Sequence, residues 1–492
     1  MAGVVYSILR RRMEKMEKDN KLSFGGLTAL IIGSTIGAGI FTTAADMAAG
    51  GANTGAALIG WAIAGVGMLA LVMCFFGLNK KRPDLTNGIY SYAGEGFGEY
   101  VGFNSAWGYW LSALLCNVSY MALFFGSIGY FIPSFGNGSN VLSIVCASVL
   151  IWVLNWLVSR GVKEAAGLQI IATCAKLIPL AVFIVAIIFV GAFDPKVFMA
   201  NFWGDGSTPL MDQVMATTGA TVWSFIGVEG AVVLSGRARK SSDVGKASIA
   251  GFVGLLAIYV MVTALCFGTV PAEEMAAMES PQLAYILEAA VGPWGAALIN
   301  FGVILSLAGA LLGWTIIASE CPYSAAKQGV FSKVFAKENA KEAPVNSLLI
   351  TNGIIQAFLI ISYFSDAAYQ LFYNLSANMI MVPYLLCGAY YLKIAMKKEG
   401  FENDSAAEVA KARFWGALGT IYGIWMLYSA GISYLIVSTI LYVAGIAIFA
   451  LGKKEKGQKI FANTFEVGLA VVIALLAVYS VYAIATGAVS VF

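Results

Sequence analysis

Long apolar runs separated by short polar stretches make up almost the whole chain. A membrane-spanning helix needs about 20 mostly apolar residues. Stretches near that length lie at 24–45, 56–78, 101–132, 141–158, 166–192, 212–236, 246–270, 294–319, 345–363, 367–392, 414–430, 432–451 and 465–487. The pattern predicts an all-α integral membrane protein of about 13 spans, with no separate soluble domain. The junction between Ser429 and Ser433 is so short that the eleventh and twelfth spans can be divided in more than one way. Pro83–Gly102 carries glycines, aromatic residues, Glu95 and Glu99. It reads either as an interfacial helix or as a re-entrant piece packed inside protein, where irregular backbone is tolerated.

The polar connectors set the topology. Cations fall in alternate connectors, first at Arg10–Arg12 with Lys15, Lys18 and Lys21, then at Lys80–Arg82, then at Arg160 and Lys163. They continue at Arg237, Arg239, Lys240 and Lys246, and at Lys327, Lys333, Lys337 and Lys341. The last groups are Lys393, Lys397, Lys398, Lys411 and Arg413, then Lys453, Lys454, Lys456 and Lys459. Together these are 28 of the 30 Lys and Arg residues, leaving Lys196 on the other side and Lys176 inside a span. Basic connectors mark the cytoplasmic face. The expectation is a multi-pass protein of a bacterial-type cytoplasmic (inner) membrane, with its N-terminus cytoplasmic and its C-terminus extracellular.

Composition narrows the chemistry. Charged residues make up 12% of the chain, about half the ~25% usual in soluble proteins. The absence of histidine excludes His-dependent triads, HExxH zinc sites and a histidine pH switch. With no P-loop and no metal-ligand cluster either, the chain reads as a non-enzyme without a cofactor or metal. A net charge of +3 gives no reason to expect nucleic acid. The seven cysteines form an odd set without a CxxC pair and lie in or beside apolar runs, as reduced packing residues do. No cleavable signal is evident, since the Arg10–Arg12 cluster is followed by polar residues.

Two spans carry breaks. The first contains GSTIGAGIF (Gly33–Phe41) and the sixth WSFIGVEG (Trp223–Gly230), both interrupted by glycine. Glycine propagates helix poorly and lets another backbone or a ligand approach closely. Interrupted helices in corresponding positions of two repeats are the best sequence pointer to a transporter binding site near the bilayer midplane. Freed amides there can hold a carboxylate and freed carbonyls an ammonium. The implied organisation is a cytoplasmic segment (1–21), a first five-helix repeat (22–193), a second, inverted repeat (212–392), a cytoplasmic connector (393–413) and about three additional spans (414–492). Glu229 and Lys176 are the ionisable groups clearly inside spans, and such groups default to functional roles. Glu229 is the candidate proton or substrate sensor.

GSTIGAGIF and WSFIGVEG resemble the first- and sixth-span signatures of the amino acid–polyamine–organocation (APC) transporters. The stretch Ser235–Ala247 (SGRARKSSDVGKA) is similar to the basic amino acid/polyamine antiporter branch, and within it to arginine/ornithine antiporters. The likeness runs from about Leu22 through the tenth span, including AWGYWLSALLCNVSY (Ala106–Tyr120), GWTIIASE (Gly313–Glu320) and VPY (Val382–Tyr384). It implies a five-plus-five inverted-repeat core with substrate between spans one, three, six, eight and ten. Carried onto matching positions, the backbone of Thr35, Ile36, Gly37, Ala38 and Gly39 would receive the α-carboxylate and α-amino groups, with carbonyls around Trp223 and Ile226 sharing the latter. Trp223 would cover the substrate and Trp314 would stack on a cationic side chain. Asn117 and Ser376 would bond near its tip, while Tyr109, Glu229 and Tyr384 would form the inner gate. Lys176 resembles a fifth-span lysine whose ammonium sits where sodium-coupled cousins bind an ion, so transport is expected to be sodium-independent. Ala38 stands where arginine/agmatine relatives have a serine hydroxyl, and Tyr120 is larger and more polar than their aliphatic residue. Both changes argue against simple transfer of that specificity. Relatives of this kind dimerise, which adds a homodimer to the partners the resemblance raises, beside amino acid substrates and the lipid bilayer.

A cation over a Trp face gains about 0.5–2 kcal/mol, so an aromatic box suits a cationic amino acid. The leading expectation is obligate exchange, arginine for ornithine. Histidine/histamine, lysine/cadaverine and arginine/agmatine exchange stay open, as does a proton-coupled amino acid permease.

Overall fold

The computed structural model describes Phe24, Thr28, Ile32 and residues 35–85, 89–160, 165–229, 241–365 and 368–489, with the side chains of Tyr90, 165–175, 241–245 and Ile432 left aside. The basic N-terminal segment with Arg10–Arg12, the first two residues of GSTIGAGIF, Lys163, Gly230 and Ser235–Lys240 of SGRARKSSDVGKA lie outside the described residues.

The described residues are mostly helical and contain no strand. Its principal helices are α1 (Thr43–Ala49), α2 (Thr54–Lys81), α3 (Ile89–Phe97), α4 (Glu99–Phe131), α5 (Val141–Ser159), α6 (Ala165–Val190) and α7 (Leu210–Phe225). They continue as α8 (Ser241–Thr269), α9 (Pro293–Lys327), α10 (Val345–Ile361), α11 (Ala368–Lys397), α12 (Ala406–Ser429), α13 (Ile432–Glu455) and α14 (Thr464–Ala485). Among the described residues, nine helices are long and apolar enough to cross a membrane. The other four expected spans are the two broken ones, α6 and the less apolar α12.

Local chemistry starts several helices where the hydrophobic runs begin. Asn140 accepts from Ser143 N ahead of α5, Asn463 accepts from Glu466 N ahead of α14, and Ser405 with Glu408 forms a capping box on α12. Each satisfies amides that a helix start leaves without partners. α4 is the buried axis, packed along α9 and α11, and α5 and α14 lie at the periphery. There Val145, Val149, Trp156, Leu475 and Val478 are exposed, as bilayer contact requires.

Among the described residues, the basic connectors converge on one face. Lys81 pairs with Asp404, Arg82 with Asp84, Glu95 and Glu399, and Lys453 with Glu99, while Glu455 accepts from Lys333 N at 2.7 Å. Asn339 donates to Ser159 O at 2.7 Å, which adds the end of α5 to the same face. The Pro83–Gly102 segment resolves into α3, packed against α4 and α11 and edged by these ion pairs, which fits the interfacial alternative. Within 393–413, α11 runs on to Lys397 and α12 begins at Ala406.

Candidate substrate site at the two helix breaks

Helix one stops at Thr35. Ile36–Ala38 are non-helical, Gly39–Phe41 form one 3-10 turn, and α1 resumes the direction at Thr43. Helix six stops at Phe225; Ile226 turns out of the helix at φ −58° and ψ 129°, and Gly227 adopts φ +99°, a conformation that favours glycine. Breaking a helix in an apolar environment frees backbone groups that need partners. Here charged side chains supply some of them. Lys176 Nζ donates to Ile36 O at 2.7 Å, and Gly227 N donates to Glu229 Oε2 at 3.1 Å. The two charges noticed in the sequence therefore serve the two breaks, one each.

The glycines of the first break make room for aromatic rings. A Cβ on Gly39 would lie 2.7 Å from Trp223 Cδ1, and one on Gly37 would lie 2.7 Å from the Tyr120 hydroxyl. Trp223 and Tyr120 meet edge to face with ring centroids 5.5 Å apart, and Tyr373 lies 5.6 Å from Trp223 on its other flank. Thr43 and Ser224 hydroxyls join across 2.9 Å, tying the two helix halves beside the breaks. Trp314, half-buried on α9, comes within 3.9 Å of the Cβ position of Gly227.

Glu229 is clamped from two helices. Tyr384 on α11 donates to Oε2 at 2.6 Å and Tyr109 on α4 donates to Oε1 at 3.1 Å. The residues assigned to the inner gate thus form one hydrogen-bonded group. Ser376 is fully buried; its hydroxyl donates to Ser112 O at 2.7 Å and lies 3.1 Å from the Ser112 hydroxyl, so its proton is engaged and one lone pair is left to accept. Asn117 is different. It is 0% exposed, and neither its Oδ1 nor its Nδ2 has a hydrogen-bond partner. Thr35 Oγ1 shares that condition. Buried polar atoms without partners are uncommon and costly, and a primary amide offers both donors and an acceptor to a ligand. Ile36, Ala38 and Ile226 are buried and hold the backbone of the breaks without contributing polar side chains.

One charged residue escaped the sequence reading. The first span, taken to end at 45, leaves Asp46 outside, but α1 continues to Ala49 and buries Asp46 to 6% exposure. Glu229 and Lys176 are accordingly not the only ionisable groups inside the spans. Helical spacing held the signal: Asp46 lies one turn after Thr42 in the otherwise uncharged run TTAADMAA. Tyr369 and Tyr373 were missed as well, because a tyrosine in an apolar run reads as packing.

An all-α membrane protein whose first and sixth spans break beside buried charge and clustered aromatic rings belongs, as a class, with the transporters. Sequence comparison places it further. The chain belongs to the amino acid permease family of the APC superfamily; the family profile described as "Amino acid permease" matches residues 22–471. It is 44% identical over 477 residues to the "Arginine/ornithine antiporter" of Pseudomonas aeruginosa, covering 95% of this chain and 98% of that one. It is 39% identical over 469 residues to the "Arginine/agmatine antiporter" of Chlamydia abortus, covering 94% and 96%.

Proposed function

We propose that this protein is a secondary active transporter that exchanges a cationic amino acid for a related amino acid or amine across the cytoplasmic membrane by alternating access, with arginine and ornithine as the pair. The observation that carries the proposal is the convergence of two broken helices on a cluster of aromatic rings, with a buried, unpartnered Asn117 on α4. The names of the two relatives support cationic substrates and antiport.

The roles follow from the chemistry of each group. Backbone freed at Thr35–Gly39 and at Trp223–Ile226 holds the α-carboxylate and α-amino groups. Trp223 closes over the substrate, Trp314 stacks on its cationic end, and Asn117 with Ser376 bonds near the tip. Tyr109, Glu229 and Tyr384 form the gate on one side, and unclamping Glu229 accompanies its opening. Lys176 holds the first break with a fixed cation, so no sodium ion is required. Segments 22–193 and 212–392 act as the two inverted repeats that rock against each other. The basic face is cytoplasmic, with the N-terminus on that side and the C-terminus outside.

Counterflow in proteoliposomes tests the proposal. Vesicles loaded with ornithine are expected to take up labelled arginine without sodium, and empty vesicles are not. Accumulation into empty vesicles under an imposed proton gradient would instead make the protein a proton-coupled permease. Exchange of neutral amino acids alone would end the cationic assignment.

A further inference from the structure

Asp46 has no place in the roles above. It is 6% exposed, and its Oδ1 lacks a hydrogen-bond partner. Among the described residues no Lys or Arg forms an ion pair with it. A carboxylate so buried is costly unless a cation or donors meet it. Three side chains surround the question of what does. Thr42, one turn earlier, holds its hydroxyl 2.8 Å from the Tyr369 hydroxyl. Tyr369 and Tyr373 both lie within electrostatic reach of Asp46, and their rings are 5.5 Å apart. Tyr373 in turn lies 5.6 Å from Trp223, which rests on Gly39 at the first break.

A continuous line of groups therefore leads from the carboxylate to the aromatic cover of the central site. Along α11 the eleven residues from Tyr373 to Tyr384 rise about 16 Å. Asp46, within reach of Tyr373, and the Glu229 clamp on Tyr384 thus lie toward different ends of α11. An acid within electrostatic reach of two tyrosines is a combination that attracts an ammonium or guanidinium group.

We propose that Asp46, with Tyr369 and Tyr373, forms a second cation-binding station on the α1 side of Trp223, where the charged end of the substrate pauses between solvent and the central site. The inference rests on the proposed exchange of cationic amino acids. It adds a sided recognition step in which charge is read before Trp223 closes.

Wild-type counterflow is measured first; failure to exchange any cationic amino acid removes the function itself and leaves nothing for Asp46 to bind. With exchange established, Asp46→Asn, Asp46→Glu and wild type are compared in right-side-out and inverted membrane vesicles. Asp46→Asn is expected to raise the half-saturation concentration for arginine and ornithine about tenfold from the α1 side. From the opposite side the change should stay within about twofold, and Asp46→Glu should recover most of the loss. Unchanged half-saturation, an equal loss from both sides, or a loss that is the same for neutral citrulline would overturn the station. Should Asp46→Asn fail to accumulate, wild type alone decides. Its preference for arginine over citrulline should be larger from the α1 side, and an equal preference from both sides counts against the proposal.

Discussion

Asn117 and Glu229 illustrate opposite ways of burying a polar side chain. Glu229 accepts from Tyr384, Tyr109 and Gly227 N, so its position is fully determined by the fold. Asn117 has no such partners, and the fold gains nothing from its amide. Replacing an unsatisfied buried polar group by an apolar one of like shape is neutral or stabilising. Asn117→Leu is therefore expected to leave the melting temperature unchanged or raised. Arginine exchange should weaken about tenfold, the loss expected for one hydrogen bond to a charged group. A drop in thermal stability with normal exchange would assign Asn117 to packing. Tyr384→Phe removes one donor from Glu229 and should slow counterflow by about tenfold, read as turnover at saturating arginine. Unaltered turnover would separate the clamp from gating. Lys176→Ala takes the ammonium from Ile36 O, and exchange should fall below about one tenth of wild type because a freed carbonyl stays unmet in an apolar setting. Undiminished exchange would remove Lys176 from the mechanism.

At the scale of elements, the breaks depend on what the absence of a side chain permits. Trp223 occupies the space that a Cβ on Gly39 would need. Gly39→Ala is accordingly expected to displace the ring and abolish measurable exchange, while the protein still reaches the membrane and elutes as a single species in detergent. Full activity in that variant would mean that Trp223 is free to move aside. Much of this was legible in the chain itself. Three glycines in GSTIGAGIF and two in WSFIGVEG disfavour helix and mark both interruptions to within a residue or two. Element ends were less legible. Hydropathy weighs residues singly, and it stopped the first span before Asp46 because the carboxylate itself ended the apolar run. Only the fold shows that α1 carries it into the interior, where it is 6% exposed and within electrostatic reach of Tyr369 and Tyr373. The identity of α3 was likewise undecided, since a nine-residue amphipathic helix and a re-entrant loop share a composition of glycine, aromatic and acidic residues.

For the whole molecule, alternating basic connectors forecast a single charged face, and the ion pairs of Lys81, Arg82 and Lys453 gather there. Glu402 is exposed on that face and Ser207 on a loop at the other. Single cysteines at these positions should react with an impermeant maleimide from opposite sides of intact cells. Only Ser207→Cys is expected to label from outside. Cys74, Cys116, Cys266, Cys321 and Cys387 are buried, and replacing the partly exposed Cys146 together with Cys174 by serine keeps the background small. Labelling of both from one side would refute the topology.

What the sequence determined by itself is whatever follows from solvent and local propensity. Lipid demands long apolar helices, the membrane's charge asymmetry sorts the cations, and glycine interrupts helix wherever it clusters. Tertiary structure decided how groups distant in the chain become partners. Lys176 meets Ile36, Glu229 meets Tyr109 and Tyr384, and Asp46 comes within electrostatic reach of two tyrosines more than three hundred residues away. Those pairings depend on which helix faces touch. Helices that are apolar on every side carry little record of their neighbours, so packing alone chooses the facing side chains.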